Sequence, residues 1–87
     1  MNKNKIFQDI ELAIRKDKKE MPDYPDHICA MANKVSIKAG KLAASSDDWK
    51  YNHNNNAAVA EKQMEWLYED AINVAAQAIR FIEKLKN

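Results

Sequence analysis

The chain has one glycine, Gly40, and two prolines, Pro22 and Pro25, in 87 residues. A sandwich or barrel needs turn signals every 8 to 12 positions or so, and this chain has almost none. Few, long elements follow, and the spacing of the apolar residues makes them helices. The expected class is all-α: three main helices forming a bundle. Eighty-seven residues suffice for one small domain, residues 1–87, that buries only about 60 to 65% of its unfolded surface. Association is therefore expected to complete the bundle.

Ile6, Ile10 and Ile14 fall in an i, i+4, i+8 line with Phe7 beside it, so an amphipathic helix is predicted over about 4–19. Pro22 and Pro25 then break the chain, because each lacks an N–H and restricts the residue before it. Asp23 is positioned to cap a second helix over about 24–46, with Pro25 in its first turn. Ile28, Met31, Ala32, Val35, Ala39 and Leu42 form its apolar stripe. Residues 45–56, rich in Ser, Asp and Asn, read as the one long loop, carrying Trp49 and Tyr51. A third helix over about 55–86, capped by Asn55 or Asn56, carries Ala60, Met64, Leu67, Ala71, Val74, Ala78, Ile82 and Leu85. Thirty helical residues span roughly 45 Å, longer than a compact globule of this size at about 30 Å. A homodimer or homotetramer sharing a helical core is the expected solution.

Fourteen Lys and Arg against thirteen Asp and Glu leave a net charge of +1, so no basic field points to nucleic acid. Apolar runs are a few residues long, such as Ala57 to Ala60, and fit neither a membrane span nor a signal peptide. The expected location is cytoplasmic. The single Cys29 has no partner for an internal disulfide, and with His27 and His53 it shows no zinc spacing; it reads as a small packing residue. Neither histidine lies at a recognisable spacing from a nucleophile.

Chemistry concentrates on the edges of the two longer helices. Lys34, Lys38 and Lys41 recur at i, i+4 and i+7 beside the second stripe, and Trp66, Asp70, Asn73 and Gln77 flank the third. Two polar edges bordering two apolar stripes meet when the helices pack. The plain reading of such a meeting is an ion pair from Lys38 or Lys41 to Asp70, with Lys34 solvated and Trp66 and Phe81 packing.

The segments VSIKAGKL, Val35 to Leu42, and EDAINVAAQAIRFI, Glu69 to Ile82, resemble the MazG-like all-α nucleotide pyrophosphohydrolases, especially short phage-encoded members. The similarity spans about residues 26–83. The family reads V-x-E-E-A-G-E-L on one helix and E-E-x-x-[DQ]-x-A-A-x-A-[IV]-R on the next. Its paired carboxylates hold Mg²⁺, which needs several hard oxygens, binds the nucleotide phosphates and activates water. Here Ile37, Lys38 and Lys41 stand where the first-helix carboxylates are expected, Asn73 stands at the Asp or Gln position, and Glu69 and Asp70 remain as the candidate metal ligands.

The resemblance thus implies a catalytically impaired nucleotide binder with no resident cofactor, its lysines meeting phosphate in place of metal. Trp49, Tyr51 or Trp66 would stack on a base, Asn73 or Gln77 would read a base or ribose edge, and Arg80 matches the family arginine. Sequestration of a signalling nucleotide, as a phage anti-defence factor, is one role such a binder would serve. Two alternatives stand beside it. One is a helical interaction or inhibitor protein with a collapsed site, acting on a host protein. The other is an active Mg²⁺-dependent nucleoside triphosphate pyrophosphohydrolase using a shifted set drawn from Glu61, Glu65, Glu69 and Asp70. Gly40 fits the A-G-x-L word, and a close approach of backbone or phosphate would explain a glycine inside a helix.

Overall fold

The computed structural model describes residues 2–52 and 57–86. They form three helices, α1 (Lys3–Glu20), α2 (Ile28–Asn52) and α3 (Ala57–Lys86), with no strand among them. The third is the spine: α1 and α2 both pack on α3, and the backbones of α1 and α2 stay apart. None of these helices is long and apolar enough to cross a membrane.

The ends of α1 follow from local chemistry. Asn2 caps it, its side-chain oxygen accepting the Lys5 N–H at 2.9 Å. At the other end the Met21 N–H donates to the Asp17 carbonyl at 2.8 Å, and Pro22 forces Met21 out of helical geometry, to φ −139° and ψ 78°. Lys18 and Lys19 lie in the last turn, where the helix dipole favours cations.

Helix α2 begins four residues later than the sequence suggests. Its cap is His27, whose carbonyl accepts the Met31 N–H at 3.0 Å and whose Nδ1 accepts the Cys29 N–H at 3.2 Å. Asp23 is therefore not the cap, and Pro25 stays outside the helix. Tertiary contacts explain the delay: Arg80 of α3 donates to the Met21 carbonyl at 3.1 Å and carries the Tyr24 ring 4.7 Å over its guanidinium. The linker is pinned to α3 before the chain is free to coil.

The expected loop from Ser45 is instead the last turns of α2, which runs to Asn52. Ser45 and Trp49 continue the face that α2 turns to α3, and the Ser45 hydroxyl finds a carboxylate there, so residues with loop-like composition remain helical. Tyr51 lies outside the residues whose side chains are described, as do His53 and the expected caps Asn55 and Asn56.

The apolar stripes are only half used. Met31, Val35 and Leu42 of α2 turn inward, accompanied by Lys34, Lys38 and Ser45, while Ile28, Ala32 and Ala39 are exposed. On α3, Ala60, Leu67, Val74 and Ala78 are half-buried, but Met64, Ala71, Ile82 and Leu85 are exposed. Cys29 is exposed rather than packed, because it lies opposite the α3-facing side of α2. Among the described residues Met31 and Ala76 are the only fully buried hydrophobic ones. The chain is accordingly elongated, 48 × 28 × 20 Å, with a radius of gyration of 14.7 Å against about 12 Å for a compact chain of this length.

Candidate functional site

Where the end of α1 meets α2 and α3, polar side chains replace the apolar core. Arg80 is the anchor. It is 6% exposed, and its Nη1 donates to Asp17 Oδ2 at 2.5 Å as well as to the Met21 carbonyl. Asp17 occupies the next inward position of the α1 stripe after Ile10 and Ile14, which is how a carboxylate from the first helix comes to face α3. Burial pushes the Asp17 carboxyl upward, but hydrogen bonds from Arg80 and Gln77, with the charges of Arg80 and Lys34, outweigh it and hold the group below the usual range.

Tyr24 closes the site from the linker. Its ring lies over Arg80 and 5.7 Å below the Lys34 ammonium, which also reaches the Met21 sulfur. Its hydroxyl is buried without a hydrogen-bond partner among the described residues. Burial and the nearby Asp17 charge raise the phenol above its ordinary value, with Arg80 opposing.

Next to this lock is a cavity of about 230 Å³ lined by Asp17, Glu20, Met21, Lys34, Ile37, Lys38 and Gln77. Two groups on its wall are unmatched. The half-buried Lys38 has no ion-pair or hydrogen-bond partner among the described residues, and the buried Gln77 Oε1 accepts no hydrogen bond. A buried amide oxygen left unmatched costs about 1 to 3 kcal/mol, which a ligand or water donor would recover.

The structure thus brings Lys34, Lys38 and Gln77 together beside Arg80 and disperses the other sequence-derived candidates. Lys41 is exposed. Asp70 accepts from the Ser45 hydroxyl at 2.5 Å and pairs with neither Lys38 nor Lys41, contrary to the plain sequence reading. Asn73 points to the opposite groove, between α1 and α3, with Glu61, Glu65 and Glu69. Trp66 is 55% exposed, and Trp49 is half-buried on the last turns of α2 rather than on a loop.

Glu69 and Asp70, as neighbours on a helix, diverge, one toward the α1 groove and the other toward α2. Among the described residues no three His, Cys, Asp or Glu side chains converge well enough to hold a metal ion. Gly40 has open space where a side chain would be, with no atom within 4 Å, so nothing in this chain makes the close approach that its place in the A-G-x-L word suggested.

Sequence reasoning missed Asp17, Met21 and Tyr24. Only Asp17 left a signal, a charged residue in register with an apolar stripe. A second polar tie was also missed: the Tyr68 hydroxyl of α3 donates to Asp9 of α1, and Lys5 pairs with the same carboxylate at 2.8 Å. Lys5 first and Tyr68 second hold Asp9 low, and the bond to Asp9 pushes Tyr68 up to about 12.

Fold and site together define an all-α three-helix protein with a buried arginine-aspartate lock and, beside it, a polar cavity lined by two lysines and two carboxylates. No family model, curated protein or solved structure matches the chain.

Proposed function

We propose that the chain binds a small phosphate-bearing ligand, a nucleotide by the resemblance of its helix words, at the Lys38 and Gln77 cavity. The carrying observation is the pair of unmatched groups on one wall: an ammonium that needs an anion and an amide oxygen that needs a donor. A nucleotide offers both, phosphate oxygens for Lys38 and ribose hydroxyls for Gln77 Oε1. Of the two carboxylates on the wall, Asp17 is committed to Arg80 and Gln77, and the exposed Glu20 makes no ion pair with Lys38. At about 230 Å³ the cavity suits the phosphate and sugar end, leaving a base outside it.

Titration calorimetry with mono-, di-, tri- and cyclic nucleotides in EDTA is the direct test. Binding tighter than about 100 µM, weakened at least tenfold by Lys38→Ala, is the expected outcome. Absence of binding by every ligand at that concentration sinks the proposal. Pyrophosphate release with Mg²⁺, abolished by Asp70→Ala, would restore the hydrolase alternative.

The interaction-protein reading is favoured by a different observation, the exposure of Phe7, Ile28, Trp66 and Ile82 on a chain with so little buried core. Binding to another protein that survives Lys38→Ala would support it.

A further inference from the structure

The first half of α3 carries two adjacent ridges at i, i+4 spacing. Met64, Tyr68 and Ile72 form one, and Glu61, Glu65 and Glu69 form the other, which runs on to Asn73. Together with Asp9, Leu12, Ala13 and Lys16 of α1 they line a groove of about 710 Å³. Its apolar part is Ala13 and Ile72, half-buried, with Leu12 and Met64, which are exposed. Its charge is lopsided. Asp9 is committed to Lys5 and to the Tyr68 hydroxyl, whereas Glu61, Glu65 and Glu69 are exposed and have no ion-pair partner among the described residues. Against these three carboxylates Lys16 is the one cation on the lining, and Lys62 of α3 does not line the groove. Successive carboxylates of the ridge are set about 6 Å apart along the helix, and they do not converge on a metal ion.

We infer that this groove is the docking site for a basic amphipathic helix of a partner protein. Charge complementarity selects the sign. An acidic or wholly apolar partner would strip water from three carboxylates and supply no counter-charge, whereas Lys or Arg side chains would match them. Spacing selects the helix. A step of about 6 Å is the rise of four helical residues, so cations at i, i+4 and i+8 of a helix laid along α3 meet Glu61, Glu65 and Glu69 in turn. The lining of α3, from Glu61 to Asn73, is about 18 Å long, room for three turns of such a helix. The apolar part selects amphipathicity. A polyamine would match the carboxylates but leave Leu12 and Met64 in water, whereas apolar side chains beside a basic row cover both. The groove shares no lining residue with the Lys38 cavity, and none of Phe7, Ile28, Trp66 and Ile82 lines it, so the inference depends on neither functional reading above.

Fluorescence anisotropy of a labelled synthetic helix tests it on the full chain at about 0.15 M salt. The probe carries a leucine face flanked by Lys at i, i+4 and i+8, and its twin carries Glu in place of each Lys. The basic peptide is expected to bind with a Kd below about 50 µM and the acidic twin not at all. A chain combining Glu61→Gln, Glu65→Gln and Glu69→Gln should bind the basic peptide about tenfold more weakly, and so should one combining Leu12→Ser with Met64→Ser. Glu11→Gln, outside the groove, should change nothing. All of these side chains are exposed, so the variants keep the packing of the chain, and far-UV circular dichroism checks this. Two variants on different ridges keep the test decisive if one fails to fold. No binding of the basic peptide at about 500 µM overturns the inference. So does equal binding of the acidic twin, or a basic peptide that both groove variants hold as tightly as the unaltered chain does. Spermine displacing the peptide with equal affinity also overturns it, since charge alone would then suffice.

Discussion

Removing the Arg80 guanidinium should be the most damaging single change available to this fold. Arg80→Ala deletes the 2.5 Å bond to Asp17, the 3.1 Å bond to the Met21 carbonyl and the contact with the Tyr24 ring. Asp17 would remain with Gln77 and Lys34, its side chain 20% exposed. Breaking a fully buried ion pair costs about 3 to 5 kcal/mol, and the residual exposure of Asp17 lets water recover part of that. Loss of the ring contact adds about 0.5 to 1 kcal/mol, giving a total of about 3 kcal/mol. For a chain of this size that is a large share of a stability of about 4 to 13 kcal/mol.

Urea unfolding of Arg80→Ala and the unaltered chain, followed by circular dichroism at one protein concentration, measures the difference. Its pH dependence has a definite sign. Asp17 is held below its ordinary value when folded, so its contribution is complete above the unfolded aspartate range and fades as pH falls through the lower folded value. The gap between the two proteins should accordingly narrow in acid. A loss below about 0.5 kcal/mol at neutral pH, the scale of an ordinary surface change, would refute the view that this lock joins the three segments.

Three further outcomes follow from particular residues. Gly40→Ala should raise stability by about 0.5 to 1 kcal/mol in the same urea assay, since the added Cβ meets nothing within 4 Å; destabilisation would contradict that open space. Tyr68→Phe should lower stability near neutrality and remove the last tyrosine step, near pH 12, from an ultraviolet titration. The sign runs opposite to that of Asp17: the Tyr68 contribution is complete below the ordinary tyrosine value and is lost as pH rises through the raised one, so a single step near 10 for all tyrosines would exclude it. His27→Ala should lower stability by about 0.5 to 1 kcal/mol through loss of the α2 cap, and an unchanged urea midpoint would show that its Nδ1 contributes nothing.

Helix existence was legible because it rests on local rules. The 3.6-residue spacing and the near absence of glycine and proline identify three helices, and Pro22 ends the first within a residue of its observed limit. Boundaries set by distant partners were not legible. Helix α2 starts late because Arg80 and Met21 pin the linker, and it ends late because Ser45 reaches Asp70; both contacts join residues remote in sequence. The meeting of two polar edges was foreseeable from the flanking of apolar stripes, and Lys34, Lys38 and Gln77 do converge. Their nearest carboxylate was not, because Asp17 comes from a helix whose rotation only packing on α3 decides.

What the sequence determined by itself is therefore the all-α class, the three segments and the inventory of polar residues at the stripe margins. Tertiary structure decided which flank of each stripe is covered, which carboxylate meets Arg80, and that the Lys38 ammonium and the Gln77 Oε1 are left unmatched at a cavity. The physical reason is that periodicity records how wide an apolar arc is, whereas its neighbour covers only part of that arc. The side on which that neighbour lies is fixed by long-range pairs such as Asp17 with Arg80, which no local window contains.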